Sequence, residues 1–267
     1  MGKVYVSSDW HGCWDPAYKV LEFLKPDDKL YFLGDAIDRG NDGIKILDIL
    51  LNDSRIFFIK GNHEDMMAKT IPNLINDEYN INDIWFFNGG MRTWESMEFF
   101  PKEKIIEYVN KINKMPTELI YNSPLGHNVI LEHAGYSPFN IPHRSHDPLW
   151  DRNHFYDNWI SDLTLKYNYK YKNLNPKTTF LIHGHTPVQY FEYTYGYKDQ
   201  PPITIEKLEE KREWYESCSF NAPFHIKPTI IRYCDSYKFN IDMCTVVSKR
   251  IALLDLDTFE EFYFDEE

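Results

Sequence analysis

Leu30-Tyr31-Phe32-Leu33-Gly34-Asp35-Ala36-Ile37-Asp38-Arg39-Gly40 is the stretch that decides the fold. Four β-prone apolar residues run without interruption into a glycine, and two aspartates and an arginine follow at once. An unbroken apolar run is what a strand buried on both faces requires, and Gly-Asp is turn chemistry at its end. The same beat lies on either side. Val4-Tyr5-Val6 leads into Asp9-Trp10-His11-Gly12, and Ile56-Phe57-Phe58-Ile59 leads into Gly61-Asn62-His63-Glu64. Helical patterns fill the gaps, from Ala17 to Leu24 behind Pro16 and from Ile44 to Leu51 behind Gly43. Strands alternating with helices predict a largely parallel sheet.

Further along, residues 64 to 125 read as mostly helical, with Lys102 to Lys114 the clearest amphipathic stretch. They are expected to form a cap over the sheet. Strand patterns return at Val129-Ile130-Leu131, at Phe180-Leu181-Ile182, at Cys244 to Val247 and at Ile251 to Leu256. These later runs lack intervening helices, so a mixed second sheet is expected. Between Val188 and Phe239 the chain is Tyr-rich and broken by prolines, with a charged helix candidate from Ile205 to Tyr215, and reads as a lid or interaction surface. The expected fold class is α/β, two packed mixed β-sheets flanked by helices, and residues 1–267 are read as a single domain.

The chain has 267 residues, 43% of them hydrophobic, with 19 Tyr, 18 Phe and 7 Trp, so apolar area for a core is ample. Its formal charge of −12 repels polyanions, which argues against general nucleic-acid binding. An anionic substrate must then meet a local positive source. No apolar run is long enough for a bilayer, the N-terminal stretch lacks a signal-peptide apolar region, and Val6 stands where a myristoylation signal needs Ser or Thr. The four cysteines form no C-x-x-C pair, so reduced thiols and a cytoplasmic location are expected.

In a parallel sheet, sites form at the carboxyl edges of strands. Asp9 and Asp35 are 26 residues apart and Asp35 and Asn62 are 27 apart, about one strand, helix and return, so the topology gathers these groups. His133-Ala134-Gly135 follows the fourth strand pattern and His183-Gly184-His185-Thr186-Pro187 the fifth. Taken alone, an Asp-x-His or a His-Gly-His is usually a turn with a satisfied histidine. Their joint placement at five strand ends points instead to a shell of carboxylate, imidazole and amide oxygen. Such donors suit divalent ions such as Mn²⁺, Fe²⁺ or Zn²⁺, and six of them suit two ions better than one.

These motifs, DWHG, GDAIDRG, GNHE, HAG and GHTP, resemble the metallophosphoesterase signature of calcineurin-like enzymes. The DRG and GNHE forms are similar to PPP-type serine/threonine protein phosphatases of bacteria and bacteriophages such as lambda. The resemblance spans Asp9 to Pro187, with a weaker echo at Asn240-Ile241-Asp242. It implies that Asp9 and His11 bind a first metal ion, that Asp35 bridges both, and that Asn62, His133 and His185 hold the second, with Mn²⁺ ahead of Fe²⁺ or Zn²⁺. It implies His63 as general acid oriented by Asp38, and Arg39, Arg152 and Asn62 as phosphate-binding groups. Guanidinium forks suit paired phosphate oxygens, and a carboxylate behind an imidazole keeps the proton that a leaving alkoxide needs. Trp10 is expected to pack under the site or narrow its rim, and His183 to be a hydrogen-bonded core residue. Arg152, in the looser Leu149-Trp150-Asp151-Arg152, could equally form a surface ion pair.

The function so implied is a metal-dependent phosphomonoesterase, a serine/threonine or dual-specificity protein phosphatase in which a water is activated between two ions. The substrate would be a phosphorylated protein or a small phosphate ester. Hydrolysis of diadenosine tetraphosphate or another nucleotide is the alternative on the same scaffold, and Arg39 and Glu64 favour the monoesterase. A binding scaffold without catalysis is a third reading, opposed by the intact set Asp9, His11, Asp35, Asn62, His63, His133 and His185.

Overall fold

The computed structural model describes residues 2–76, 83–135, 147–152, 173–189, 227–233 and 236–266. In chain order its strands are β1 (Val4–Ser7), β2 (Lys29–Phe32), β3 (Ile56–Phe58), β4 (Glu118–Asn122) and β5 (Asn128–Glu132). They continue with β6 (Thr179–His183), β7 (Ile231–Tyr233), β8 (Lys238–Asn240), β9 (Arg250–Asp255) and β10 (Glu261–Asp265). One five-stranded sheet has the order β10-β9-β1-β2-β3 and the other β4-β5-β6-β8-β7. In the first, β1, β2 and β3 are parallel, with Tyr5 opposite Leu30 and Leu30 opposite Ile56, while β9 and β10 run antiparallel. In the second, β5, β6 and β8 are parallel and the edge strands β4 and β7 antiparallel. Both sheets are mixed, as expected, and helices flank them.

Alternation along each strand assigns its two faces. Val6, Leu33, Ile59 and Leu254 of the first sheet pack with Val129, Leu131, Ile182 and Phe239 of the second, so this core lies between the sheets. Tyr5, Leu30, Phe32 and Leu253 point the other way, into a second core with the helices α1 (Trp14–Phe23), α2 (Gly43–Asn52) and α3 (Asn62–Ile75). Trp10, Phe32 and Phe58 run edge to face through this core at centroid spacings of 4.9 and 5.0 Å. Trp10 is therefore a core residue beneath the first strand end, its indole N–H donating to Ser7 Oγ at 2.8 Å. The helical stretch continues with α4 (Ile84–Phe87), α5 (Gly90–Ser96) and α6 (Lys102–Asn113).

Three expectations are corrected. Residues 118–122, placed in the helical cap, form β4, whose alternating Leu119 and Tyr121 face the inter-sheet core while Gly126 (φ +94°) turns the chain into β5. Cys244 to Val247 is not a strand. The Asp242 carboxylate accepts the Cys244 N–H at 2.7 Å, Cys244 turns left-handed (φ +52°), and a short helix α7 (Thr245–Ser248) follows. Finally, Ile251 to Leu256 extends the first sheet beside β1, not the second, and β10 closes that edge as a hairpin partner. Within 188–239, β7 and most of β8 belong to the second sheet; the helix candidate at 205–215, and residues 190–226 as a whole, lie outside the described residues. Cys13 and Cys244 are free thiols; Cys218 and Cys234 lie outside the described residues. Among the described residues no helix is long and apolar enough to cross a membrane.

At the end of the β9–β10 ladder, Arg250 Nε donates to Asp265 Oδ1 at 2.7 Å, and this bond, with help from Lys227, holds the Asp265 carboxyl down at about 2. A carboxyl lowered by folding stabilises the protein above its ordinary pKa, and that contribution is lost as pH falls through the folded value. Asp265 is partly exposed, so the contribution is on the order of 1 kcal/mol. Asp265→Asn is expected to lower the urea-unfolding free energy by about that amount at pH 7, with the difference from the parent shrinking between pH 4 and 2.

Candidate metal centre

The strand-end loops are built from conformations that L-residues avoid. Asp9 (φ +56°), His11 (+42°), Asp35 (+61°), Asp38 (+71°), Arg39 (+64°) and His185 (+66°) are all left-handed, at about 1–3 kcal/mol each. Backbone hydrogen bonds between loops hold them there. Asp9 N donates to Gly34 O at 3.0 Å, His11 N to Asp35 O at 2.9 Å and Gly12 N to Ala36 O at 2.8 Å, so the loop after β1 lies on the loop after β2.

Glu64, a residue the motif analysis used only to compare relatives, joins β2 to β3. Its buried carboxylate accepts the N–H groups of Asp35 (2.8 Å), Ala36 (2.8 Å) and Gly61 (3.0 Å). It stands in the first turn of α3, so the bond to Gly61 also caps that helix and sets Asn62 and His63 at its start. The local sign was legible, a Glu three residues after the helix-entry glycine. Position 61 admits only glycine, because a Cβ there would lie 2.2 Å from Asp35 Oδ1.

These loops bring Asp9, His11, Asp35, Asn62, His133 and His185 together, all buried. Asp35 stands in the middle. Its Oδ2 lies 3.7 Å from His11 Nε2 and 3.8 Å from His63 Nε2, and its Oδ1 lies 3.5 Å from His133 Nε2. Asp35, His133 and His185 form one group able to hold a metal ion, and His11, Asp35 and His63 another. Asp9 Oδ1 is 4.0 Å from His11 Nε2, and the Asp9 carboxylate accepts the His185 N–H at 3.1 Å and the Ser8 hydroxyl.

The donor set fits cations. Burial holds His133 down at about 3 and pushes His11 and His185 well below their ordinary values, so these imidazoles are neutral at pH 7. His133 Nδ1 lies 2.7 Å from the Leu33 carbonyl, which can only accept, so its proton is there and Nε2 carries a lone pair. That lone pair faces Asn62 Oδ1 at 2.8 Å, and His185 Nδ1 faces the same oxygen at 3.1 Å. At His133, acceptor facing acceptor is what a bound cation reconciles. His185 Nε2 is itself buried without a hydrogen-bond partner among the described residues. His11 repeats the pattern, with Nδ1 on the Ile37 carbonyl at 3.0 Å and Nε2 turned inward. The carboxylates complete it: burial, then the Asp242 charge, raises Asp9 well above the ordinary range, and burial, then Asp9, does the same to Asp35. Each would ionise readily beside a cation.

His63 and Asp38 form a buried pair at one side, with His63 Nδ1 2.6 Å from Asp38 Oδ2. Burial pushes Asp38 up to about 7, against the pull of hydrogen bonds from Thr93 and Trp85. Neither Thr93 nor Trp85 was visible in the motifs, since both lie in helices with no strand-end signal. Arg39 extends its guanidinium over the centre, Nη1 2.9 Å from His11 Nε2 and Nη2 3.0 Å from His63 Nε2. Arg152 is exposed and donates to Thr186 Oγ1 at 3.1 Å, next to His185. His183 is a core residue, bonded to Tyr233 Oη at 2.7 Å and to the Gly184 carbonyl at 2.9 Å.

Comparisons with known proteins agree with this geometry. The model of the calcineurin-like phosphoesterase family matches residues 2–211. A comparison with curated protein sequences gives no match. Among solved structures, the fold is similar to a cold-active protein-tyrosine phosphatase of a psychrophilic Shewanella species, at 15% identity and TM-score 0.57, covering 99% of this chain and 81% of that one. Another structure of a cold-active protein tyrosine phosphatase matches at 16% identity and TM-score 0.56, over 96% and 74% of the two chains. A protein provisionally described as a diadenosine tetraphosphatase matches at 15% identity and TM-score 0.53, over 98% and 92%. With a family match over most of its length and a buried Asp–His–Asn centre suited to cations, the chain belongs to the calcineurin-like phosphoesterases, hydrolases of phosphate esters that depend on two metal ions.

Proposed function

We propose that the chain is a phosphomonoesterase that dephosphorylates serine and threonine side chains, with phosphotyrosine or small phosphate esters as further substrates. The observation that carries this reading is the buried His63–Asp38 pair beside Arg39, at the edge of the acidic and imidazole centre. An alkoxide is a poor leaving group and needs a proton as it departs, whereas the phosphate leaving groups of a dinucleoside polyphosphate are far less basic. A built-in proton donor therefore supports an ester over an anhydride substrate, although the likeness to the provisionally described diadenosine tetraphosphatase keeps nucleotide hydrolysis as the second reading.

In this reading Asp9, His11 and Asp35 would hold one ion and Asp35, Asn62, His133 and His185 the other. The Asp35 carboxylate is suited to the shared position because its two oxygens face different histidines. The chemistry supplied by such a pair is orientation and acidification of a water and neutralisation of charge on the phosphoryl oxygens. Oxygen and imidazole donors without thiolate favour Mn²⁺, with Fe²⁺ and Zn²⁺ accepting the same set. Arg39 would exchange its imidazole acceptors for phosphate oxygens, which are stronger ones, and Asn62 and Arg152 would bind from the far side. In the free protein His63 Nε2 accepts from Arg39; with Arg39 turned to the phosphate, that nitrogen would take up a proton from solvent and pass it to the leaving oxygen, while Asp38 keeps the ring oriented through Nδ1. The whole chain is read as one catalytic domain, with α3 to α6 as cap.

Asp35→Asn removes the shared negative charge. Metal content, measured by elemental analysis after Mn²⁺ loading, is expected to fall below two ions per chain, and 4-nitrophenyl phosphate hydrolysis by orders of magnitude, with the far-UV spectrum unchanged. Two ions and near-parental activity in this variant would remove Asp35 from the role.

His63→Asn tests the proton donor. On 4-nitrophenyl phosphate, whose leaving group departs unaided, a modest loss is expected; on a phosphoserine peptide the loss should reach the 10²- to 10⁴-fold typical of general acid catalysis, roughly. Single-turnover rates on metal-loaded protein make the comparison. Equal losses would place His63 in metal or phosphate binding, and faster cleavage of diadenosine tetraphosphate than of the peptide by the parent would favour the nucleotide reading.

A further inference from the structure

Asp38 is held by more than its histidine. Thr93, in α5, accepts the Asp38 N–H at 3.0 Å with the same hydroxyl oxygen that donates to Asp38 Oδ1 at 2.6 Å, so hydroxyl and carboxylate close a ring. Trp85, in α4, donates its indole N–H to Asp38 Oδ2 at 2.9 Å, beside the bond from His63. The indole N–H is a donor only, and the Thr93 hydroxyl donates to Asp38 Oδ1 because a carboxylate oxygen accepts. The two oxygens of Asp38 therefore meet three donors, and only the one from His63 belongs to the strand-end motifs.

Trp85 is itself fixed. It is fully buried, its backbone N–H is capped by Asp83 Oδ1 at 2.8 Å, and Asp83 is tied to Thr70 of α3 at 2.8 Å. Gly90 lies flat against the indole, where a Cβ would come within 2.4 Å of Trp85 Nε1. The same segment touches Arg39, whose N–H donates to the Gly89 carbonyl at 3.3 Å.

We propose that Thr93 and Trp85 are positioning residues for the proton donor: they lock the Asp38 carboxylate in one orientation and thereby present the His63 ring to the departing oxygen. This rests on His63 being the general acid. A carboxylate free to rotate would let the ring swing, and proton transfer is sensitive to such misplacement. The loss should then appear only where a proton is needed.

The test compares Thr93→Val, Trp85→Phe and Thr93→Ser with His63→Asn, in metal-loaded protein of parental metal content, by single-turnover rates on a phosphoserine peptide and on 4-nitrophenyl phosphate. Thr93→Val and Trp85→Phe are expected to lower the peptide-to-aryl rate ratio about 10-fold, a fraction of the full general-acid effect, while Thr93→Ser restores the parental ratio. A merely structural role would lower both rates together. If Trp85→Phe fails to fold, the near-isosteric Thr93→Val with its Ser rescue decides. Unchanged ratios in folded Thr93→Val, with a selective loss in His63→Asn, would overturn the positioning role and leave the acid standing. Equal losses on both substrates in His63→Asn would overturn both.

Discussion

A buried carboxylate that accepts three backbone N–H groups, from Asp35, Ala36 and Gly61, ties the end of β2 to the start of α3 and so determines where Asp35, Asn62 and His63 stand. Charge-assisted bonds of this kind contribute about 1.5–3 kcal/mol each, but burial of the Glu64 charge offsets much of that, as its raised carboxyl shows. The net gain is in geometry more than stability. Without Glu64, three N–H groups would be orphaned and the left-handed Asp35 would lose its brace. The rest of the centre is referenced to this junction: the loop after β1 lies on the Asp35 loop, and the His185 N–H reaches across to Asp9.

Electrostatics then give the centre its character. A chain of charge −12 holds Asp9, Asp35, Glu64 and Asp242 close together under cover, and burial raises every one of them. The neighbouring imidazoles cannot compensate, because the same burial keeps them neutral. Arg39 supplies one charge over the centre, too little for such a set. Divalent cations resolve the imbalance and also reverse the sign of the field, which is what lets an acidic protein receive a phosphate.

Legibility followed locality. The residues of the centre were readable because a parallel sheet ends all its strands on one edge, so each of them appears just after an apolar run, as Asp9 follows Val4-Tyr5-Val6. Elements whose state depends on distant partners were not. β4 needs β5 to be a strand, and Thr245-Val246-Val247 became a helical turn because Asp242 intercepts the Cys244 N–H. Position in the sheet order was equally hidden: nothing local in Ile251 to Leu256 says that it lies beside β1. Trp85 and Thr93 are a further case, polar groups on helices whose hydrogen bonds go to an aspartate about fifty residues earlier.

That dependence runs in both directions. α4 has only four residues, and a helix so short has no stability of its own. Ile84 and Phe87 on it remain well exposed, and Trp85 is its buried anchor. The segment is therefore ordered by the Asp38 bond, the Asp83 cap and the Gly90 contact, the same bonds that orient the carboxylate. Weakening the pair from the side of His63 and loosening α4 from the surface are then two perturbations of one assembly, and anything that stabilises the α4 segment also stabilises the geometry of the His63–Asp38 pair.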